Sequence, residues 1–327
     1  MKKKIKLCQK MRFSTIHSIE YLCNNISQPP LVYIPTKRGV ESIMDFLNTR
    51  KDRNAIFQLN VSGNPINFQM CNFRKIAIVH YQEWDKEFVI GSIHNYLLDF
   101  FGSSVQYHWR VDYLEHYFIP KLPNLSLCID IYLARDFTNW QKLEAFLSSS
   151  PVFRWIGLEA ALITQSFSPE SKFYQAESIL IIQLEHTFPF PPILCNFKGR
   201  QAIIKCDEWE TSEDLIELVN RWKSGEALQK LEYLKLQLNR NEVIHQINLK
   251  EIGAKYIDAT KKPPTHALPK VYDWHDFPAE PNTDPITSRT YVVRQSDNRV
   301  ASILIRRKTV YFGVWNKTEE EFLKLMD

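Results

Sequence analysis

Cysteine and histidine are the side chains from which a nucleophilic or metal centre would have to be built in this chain. The six cysteines stand at positions 8, 23, 71, 128, 195 and 206. No two form a C-x-x-C pair, the spacing that holds a structural zinc or a redox disulfide. Among the nine histidines, His94, His108 and His116 are the nearest grouping. Imidazoles share a helix face when spaced H-x-x-x-H, with a carboxylate or thiolate completing the ligand set. That spacing is absent, and His108 falls on the polar side of an alternating segment, so surface or capping roles are expected. Sequence leaves open a pairing of Cys195 or Cys206 with His186 in space. Both cysteines lie in apolar surroundings, however, where a thiol acts as a small hydrophobe. No G-x-S-x-G elbow occurs, and Ser148-Ser149-Ser150-Pro151 has the composition of a helix end. A phosphate cradle needs closely spaced glycines, yet no two of the nine glycines stand closer than Gly91 and Gly102. The acidic run Glu319-Glu320-Glu321 suits a helix N-terminus through the dipole. No catalytic residue, metal or cofactor is expected, and the alternative is an enzyme whose site is not visible as a motif.

The bulk composition bounds the class of protein without naming a function. A length of 327 residues suffices for one large or two ordinary domains. With 44% hydrophobic and 13% aromatic residues the core must be rich in Phe, Tyr and Trp. The net charge of +4 is modest. Its basic clusters, Lys2–Lys4, Arg50–Arg53 and Arg306–Lys308, lie near acids or at turns rather than in one stripe. Nucleic-acid contact through those clusters and exposed aromatics is a third option. Lys6, Lys10 and Arg12 interrupt any apolar run behind Lys2–Lys4, and no uncharged stretch approaches a membrane span. An intracellular, reduced setting is expected, cytoplasmic or nuclear.

The elements that position these residues follow from periodicity. Ile5, Cys8, Met11, Ile16, Ile19 and Leu22 are spaced mostly by three or four, predicting a helix over 5–26 that Pro29-Pro30 ends. A short second helix is predicted over 39–49. Residues 54–62, 66–70 and 76–80 read as a small antiparallel sheet turning at Gly63-Asn64-Pro65. Residues 87–101 predict a buried helix, and Val105 to Tyr113 alternate strictly, predicting a half-buried strand.

Farther on, strand-like runs centre on Leu127, Phe153, Ile179, Ala202 and Tyr233, which are 26, 26, 23 and 31 residues apart. Helical patterns fall at 140–147 and 212–223. A strand plus a helix at that interval resembles the leucine-rich-repeat period of about 20–29 residues. The expected class is therefore α/β: an irregular leucine-rich-repeat-like strand/helix solenoid, with a small N-terminal antiparallel sheet. Six prolines over 259–287 predict an extended strap pinned by Trp274 and Phe277. Strands over 290–294, 300–306 and 309–315 form a C-terminal three-strand meander, with Asp297-Asn298 and Arg307-Lys308 at its turns. Asn316 is expected to cap a last helix, with Glu319 completing a capping box.

Two segments carry a family likeness. The first is Leu215-Ile-Glu-Leu-Val-Asn-Arg-Trp222-Lys-Ser-Gly225, continued by Leu228 and Leu231-Glu-Tyr-Leu234-Lys-Leu-Gln-Leu238. The second runs from Tyr291-Val-Val-Arg294-Gln-Ser-Asp297-Asn-Arg299-Val-Ala301 to Phe312-Gly-Val-Trp315. Together they resemble the type 2 F-box-associated domain of nematode F-box proteins. The likeness is best over 215–315 and extends back to about residue 54. Its signature positions here are Trp222, Gly225, Leu231, Leu234, Arg294 and Trp315, for which core packing is expected over partner contact.

The resemblance implies a non-enzymatic protein-interaction domain, the substrate-recognition part of an F-box subunit in a cullin-RING ubiquitin ligase. It implies a protein substrate as partner, with neither nucleic acid nor membrane. Lys6-Leu7-Cys8-Gln9-Lys10-Met11-Arg12-Phe13-Ser14 resembles only the last helix of an F-box, so weak or absent binding of the Skp-type adaptor is expected. The domain plan is then 1–30 for an F-box remnant, 31–120 for the small sheet and helix, and 121–327 for the associated domain.

Overall fold

The computed structural model of the chain describes residues 16–23, 30–36, 39–48, 57–71, 73, 76–111, 120–133, 139–161, 163, 167–183, 190–207, 212–238, 249–272 and 281–326. They divide into two compact units at Ile129/Asp130, and both are mixed α/β and rich in sheet. Residues 5–15 of the expected F-box helix, and His116, His186, Trp274 and Phe277, lie outside the described residues.

The first unit is a mixed sheet. Its strands are β1 (Ser18–Cys23), β2 (Leu31–Thr36), β3 (Gly39–Asn48), β4 (Phe57–Val61), β5 (Asn64–Cys71), β6 (Ile76–Tyr81), β7 (Gln106–Val111) and β8 (from Leu125), with helix α1 (Lys86–Phe101). In space they run β8-β7-β1-β2-β3-β6-β5-β4. The antiparallel β4-β5-β6 piece is as predicted. It is not a sheet of its own, because β6 pairs in parallel with β3.

Two predicted helices are strands. Residues 18–23 pair in parallel with β7, and 39–48 bridge β2 and β6. In β1, Ile19 and Tyr21 alternate with Glu20 and Leu22, a period of two that the three-and-four spacing of the flanking apolar residues hides. In β3 the Gly39-Val-Glu-Ser-Ile-Met run carries β-branched residues that suit pairing on both edges. Strand β7 is also not half-buried, since Tyr107, His108, Trp109, Arg110 and Val111 are all buried.

Helix α1 lies where predicted and is tied to the sheet by polar contacts. His94 gives its Nε2 proton to the carbonyl of Pro123 at 2.8 Å, so its Nδ1 accepts from the Tyr21 hydroxyl, also at 2.8 Å. Burial holds this imidazole below its ordinary pKa, which keeps the neutral tautomer these two bonds require.

The second unit has strands β9 (Trp155–Ala160), β10 (Ser178–Gln183), β11 (Gln201–Cys206) and β12 (Tyr233–Leu238). They are followed by the short β13 (Lys255–Tyr256), β14 (Thr265–His266) and β15 (Ile286–Thr287), then β16 (Thr290–Val293), β17 (Arg299–Arg306) and β18 (Thr309–Thr318). Helices α2 (Trp140–Ser149), α3 (Phe190–Asn196) and α4 (Ser212–Ser224) and a 3-10 turn at Lys172–Gln175 stand before or between β9, β10, β11 and β12, and α5 (Glu319–Leu323) follows the last strand. The spatial order is β9-β10-β11-β12-β18-β17-β16-β13, with β14-β15 a separate pair. Strands β9 to β12 are parallel and in chain order, as their spacing predicts. Parallel neighbours need a crossover each, which the helices and turns supply. Continuous apolar runs such as Ser178-Ile-Leu-Ile-Ile fit strands flanked on both edges.

The meander β16-β17-β18 is antiparallel, as predicted. Asn298 and Arg307 adopt positive φ at its turns, 59° and 50°. The last helix starts two residues later than expected. Strand β18 runs on through Asn316, so Thr318 is the cap: its Oγ1 accepts from the Glu321 amide, and Glu321 Oε2 accepts from the Thr318 amide. Among the described residues no helix is long and apolar enough to cross a membrane.

Candidate functional site

Register across β9 to β12 and β18 sorts the side chains of the second unit into rows. Ile156, Ile179, Ala202, Leu234 and Phe312 form one row, all buried. Trp222 of α4 sets its ring edge against Phe312, with centroids 5.1 Å apart, so this face is the core side.

On the opposite face the row Trp155, Ser178, Gln201, Tyr233 and Gly313 is covered by the strap. Gln201 fixes it with both ends of its amide: Nε2 donates to the Pro269 carbonyl at 2.8 Å, and Oε1 accepts from the Val271 amide at 3.0 Å. Tyr272 packs on Trp155, and Arg154 Nε donates to the Val271 carbonyl. His266 lies so close to Gly313 that a Cβ there would stand 2.8 Å from its Nδ1. Burial pushes the Tyr233 phenol up and the His266 imidazole down, so both stay neutral under the strap.

Among the described residues no hydrogen bond or ion pair ties the strap to the next two rows of this face except at Lys235. Leu180, Ile203, Lys235, Tyr311 and Leu304 make one, and Glu159, Ile182, Lys205, Gln237 and Thr309 the other. All ten are half-buried rather than buried. Lys235 pairs with Asp284 at 2.7 Å and lies over the Tyr311 ring. The two rows form a ladder that combines Leu180, Leu304, Ile182 and Ile203 with the charges of Glu159, Lys205 and Lys235.

The strands' entry ends are pinned by alternating charge. Arg154, Glu177, Arg200 and Glu232 each precede a strand. Arg200 bonds Glu177 at 2.7 Å and Glu232 at 2.8 Å, with Arg154 3.9 Å from Glu177. The Glu232 contact foremost raises the Arg200 guanidinium pKa further. Each such pair is worth little alone, but the sequence of signs resists a slip in register.

No family model, curated protein or solved structure matches this chain.

The signature residues gather in two places, one behind the ladder and one on the strap side. Trp222 is 0% exposed, and the guanidinium of Arg294 stacks over its ring with its carbon 5.2 Å from the centroid. Arg294 also forks onto Asp297 at 2.8 and 2.6 Å and donates to the Gln229 carbonyl at 3.1 Å. That bidentate contact is the main reason the Asp297 carboxyl sits below its usual pKa. Gly225 ends α4 at φ 80°, its Cα facing Ser296, and the Gln295 amide bonds the Lys223 carbonyl. Leu231 and Leu234 are buried beside this junction. Trp315 stands apart from it: half-buried, it donates Nε1–H to Ser302 Oγ at 2.9 Å and packs against His266 and Phe322.

In the first unit, Cys128 of β8 and His108 of β7 stand 3.8 Å apart, Sγ to Nδ1. A thiol beside an imidazole is the raw material of a nucleophile, but Cys128 is 0% and His108 2% exposed. His108 is thus neither a surface nor a capping residue. Tyr107 to Val111 are all buried, so both faces of β7 are covered and its polar side does not meet solvent. On that face Tyr33 donates its hydroxyl to the buried Glu20 carboxylate, and burial together with Glu20 holds the phenol protonated. Among the described residues no three His, Cys, Asp or Glu side chains converge as metal ligands.

Proposed function

We propose that this chain is a protein-recognition module and that the open ladder of its second unit receives a partner protein. The observation that carries the reading is the half-cover of one sheet face. A strap held by Gln201 shields the first row, while Leu180, Ile182 and Ile203 stay half-buried in the next two. A monomer that had no use for this face could cover it with the same strap. The repeated parallel strands with interleaved helices support an irregular leucine-rich-repeat-like solenoid, whose sheet face is the usual docking surface of such folds.

The sequence likeness to the type 2 F-box-associated domain gives the class of partner: a protein substrate presented to a cullin-RING ubiquitin ligase. In this reading Trp222, Gly225, Leu231, Leu234, Arg294 and Trp315 are scaffold, and the contact residues lie on the ladder. The chain acts by binding and carries out no chemistry.

Quantitative affinity capture comparing the wild-type chain with Ile203→Arg tests the proposal. A cation placed mid-ladder should remove a discrete set of captured proteins while the melting temperature stays within about 2 °C, since surface changes of this kind are close to neutral. An unchanged set of captured proteins refutes it.

A further inference from the structure

The row Glu159, Ile182, Lys205 places an anion, an aliphatic side chain and a cation on three adjacent parallel strands. All three are half-buried, and neither charge has an ion-pair or hydrogen-bond partner among the described residues. Lys235, diagonal to Lys205, is by contrast matched by Asp284. With strands about 4.8 Å apart, Glu159 and Lys205 stand roughly 10 Å from each other. That is too far for a contact pair, which needs about 4 Å. Among the described residues each charge is therefore unmatched on this face of the sheet, with Ile182 between them and Leu180 and Ile203 in the adjoining row.

We infer that this row receives one face of an amphipathic helix from the partner protein, laid across the strands. Its contact residues are an acid and a base seven positions apart with Leu, Ile or Val between them. The inference rests on the ladder being the recognition face. Spacing selects the helix. A rise of 1.5 Å per residue sets positions i, i+3 or i+4, and i+7 at about 5 and 10.5 Å along the axis, in step with strands about 4.8 Å apart. An extended segment in the same direction repeats its side chains every ~6.7 Å and is out of step by the second strand. Strand addition is closed to it as well, because β10 and β11 are each paired on both edges.

Charge selects the partner's chemistry. Lys205 is a single ammonium with no guanidinium in its row, which matches one carboxylate better than a phosphate dianion. Glu159 repels a polyanion, which disfavours nucleic acid, and attracts a Lys or Arg of the helix. The partner is thus a protein helix bearing both signs.

A displayed library of 14-residue helical peptides, randomised at i, i+3, i+4 and i+7 on a neutral framework, is selected against the full chain. Selected peptides should carry one acid and one base at i and i+7 around an aliphatic residue. Their affinity, read by fluorescence anisotropy, should fall at least tenfold for Lys205→Glu and by less for Lys205→Gln. Replacing the peptide's acid by Lys should restore binding to Lys205→Glu, which also certifies that this variant is folded. Peptides lost on Ile203→Arg but indifferent to Lys205→Glu would overturn the charge-matched helix and leave the ladder as the recognition face. Peptides indifferent to both substitutions, or no selection at all, would overturn the two together.

Discussion

Trp222 is the side chain on which the second unit most depends, and its replacement separates scaffold from contact. The ring is fully buried, edge-on to Phe312 at 5.1 Å and under the Arg294 guanidinium at 5.2 Å. Truncating a buried Trp to Ala costs about 3–5 kcal/mol in lost transfer energy and residual cavity. For a unit of this size each kcal/mol shifts the melting temperature by about 2–4 °C, so Trp222→Ala should lower it by about 6–20 °C. Phenylalanine at the same site behaves differently. The indole Nε1–H is buried without a hydrogen-bond partner, and an unmet donor costs about 1–3 kcal/mol. Trp222→Phe removes that cost while giving up only part of the ring volume, so its net loss should stay under about 2 kcal/mol. The assay is thermal and urea unfolding of the purified variants, with partner capture in parallel. A Trp222→Ala protein that melts like wild type would refute the reasoning, and lost capture at unchanged stability would move Trp222 to an interface.

Three further outcomes follow from the same geometry. Arg294→Lys keeps the charge but loses the fork onto Asp297, the Gln229 carbonyl contact and the stacking on Trp222; it should destabilise by about 1–3 kcal/mol in urea unfolding, and no change would show the fork to be idle. Gly313→Ala puts a methyl 2.8 Å from His266 Nδ1 and 2.9 Å from Ile286 Cδ1; overpacking of that kind costs about 1–3 kcal/mol, and faster proteolysis near 266–272 should report the loosened strap. Because burial lowers the His266 pKa, the unfolded state takes up the proton first, so His266's contribution is whole above about pH 6.5 and declines as pH falls from there toward the folded value. His266→Gln should flatten that part of the stability–pH curve, and an unaltered slope would clear His266 of any part in it.

Legibility in the sequence tracked how local the deciding contacts are. The interval from Phe153 to Tyr233 gave β9 to β12 in their true order, because each strand-and-helix unit carries its own periodicity and pairs with the next. Segments 18–23 and 39–48 are strands despite helix-like spacing: each pairs locally with β2 and, on its other edge, with a strand far along the chain. Tyr21 is opposite Trp109, and Met44 opposite Ala77, pairings that no local spacing announces. His108 reads as surface in sequence because its alternation looks half-buried, yet the structure buries both sides of β7.

Of the candidate site, the segments that carry the family likeness hold mostly buried packing residues and none of Glu159, Leu180, Ile182, Ile203 and Lys205. Trp222, Gly225 and Arg294 stand out in sequence because a bulky aromatic, a positive-φ glycine and a forked cation are each hard to replace where they sit. The ladder residues are ordinary by type: Leu180, Ile182, Ile203 and Lys205 mean nothing until register aligns them across strands. Gln201 is the instructive case. A glutamine opening an apolar strand is a weak signal, yet its two amide contacts lie 68 and 70 residues down the chain. Both carbonyl and amino groups are satisfied there, so a buried polar side chain becomes the clasp of the strap rather than a cost. Among the described residues, Glu159, Ile182 and Lys205 lie two rows beyond the row that Gln201 clasps to the strap.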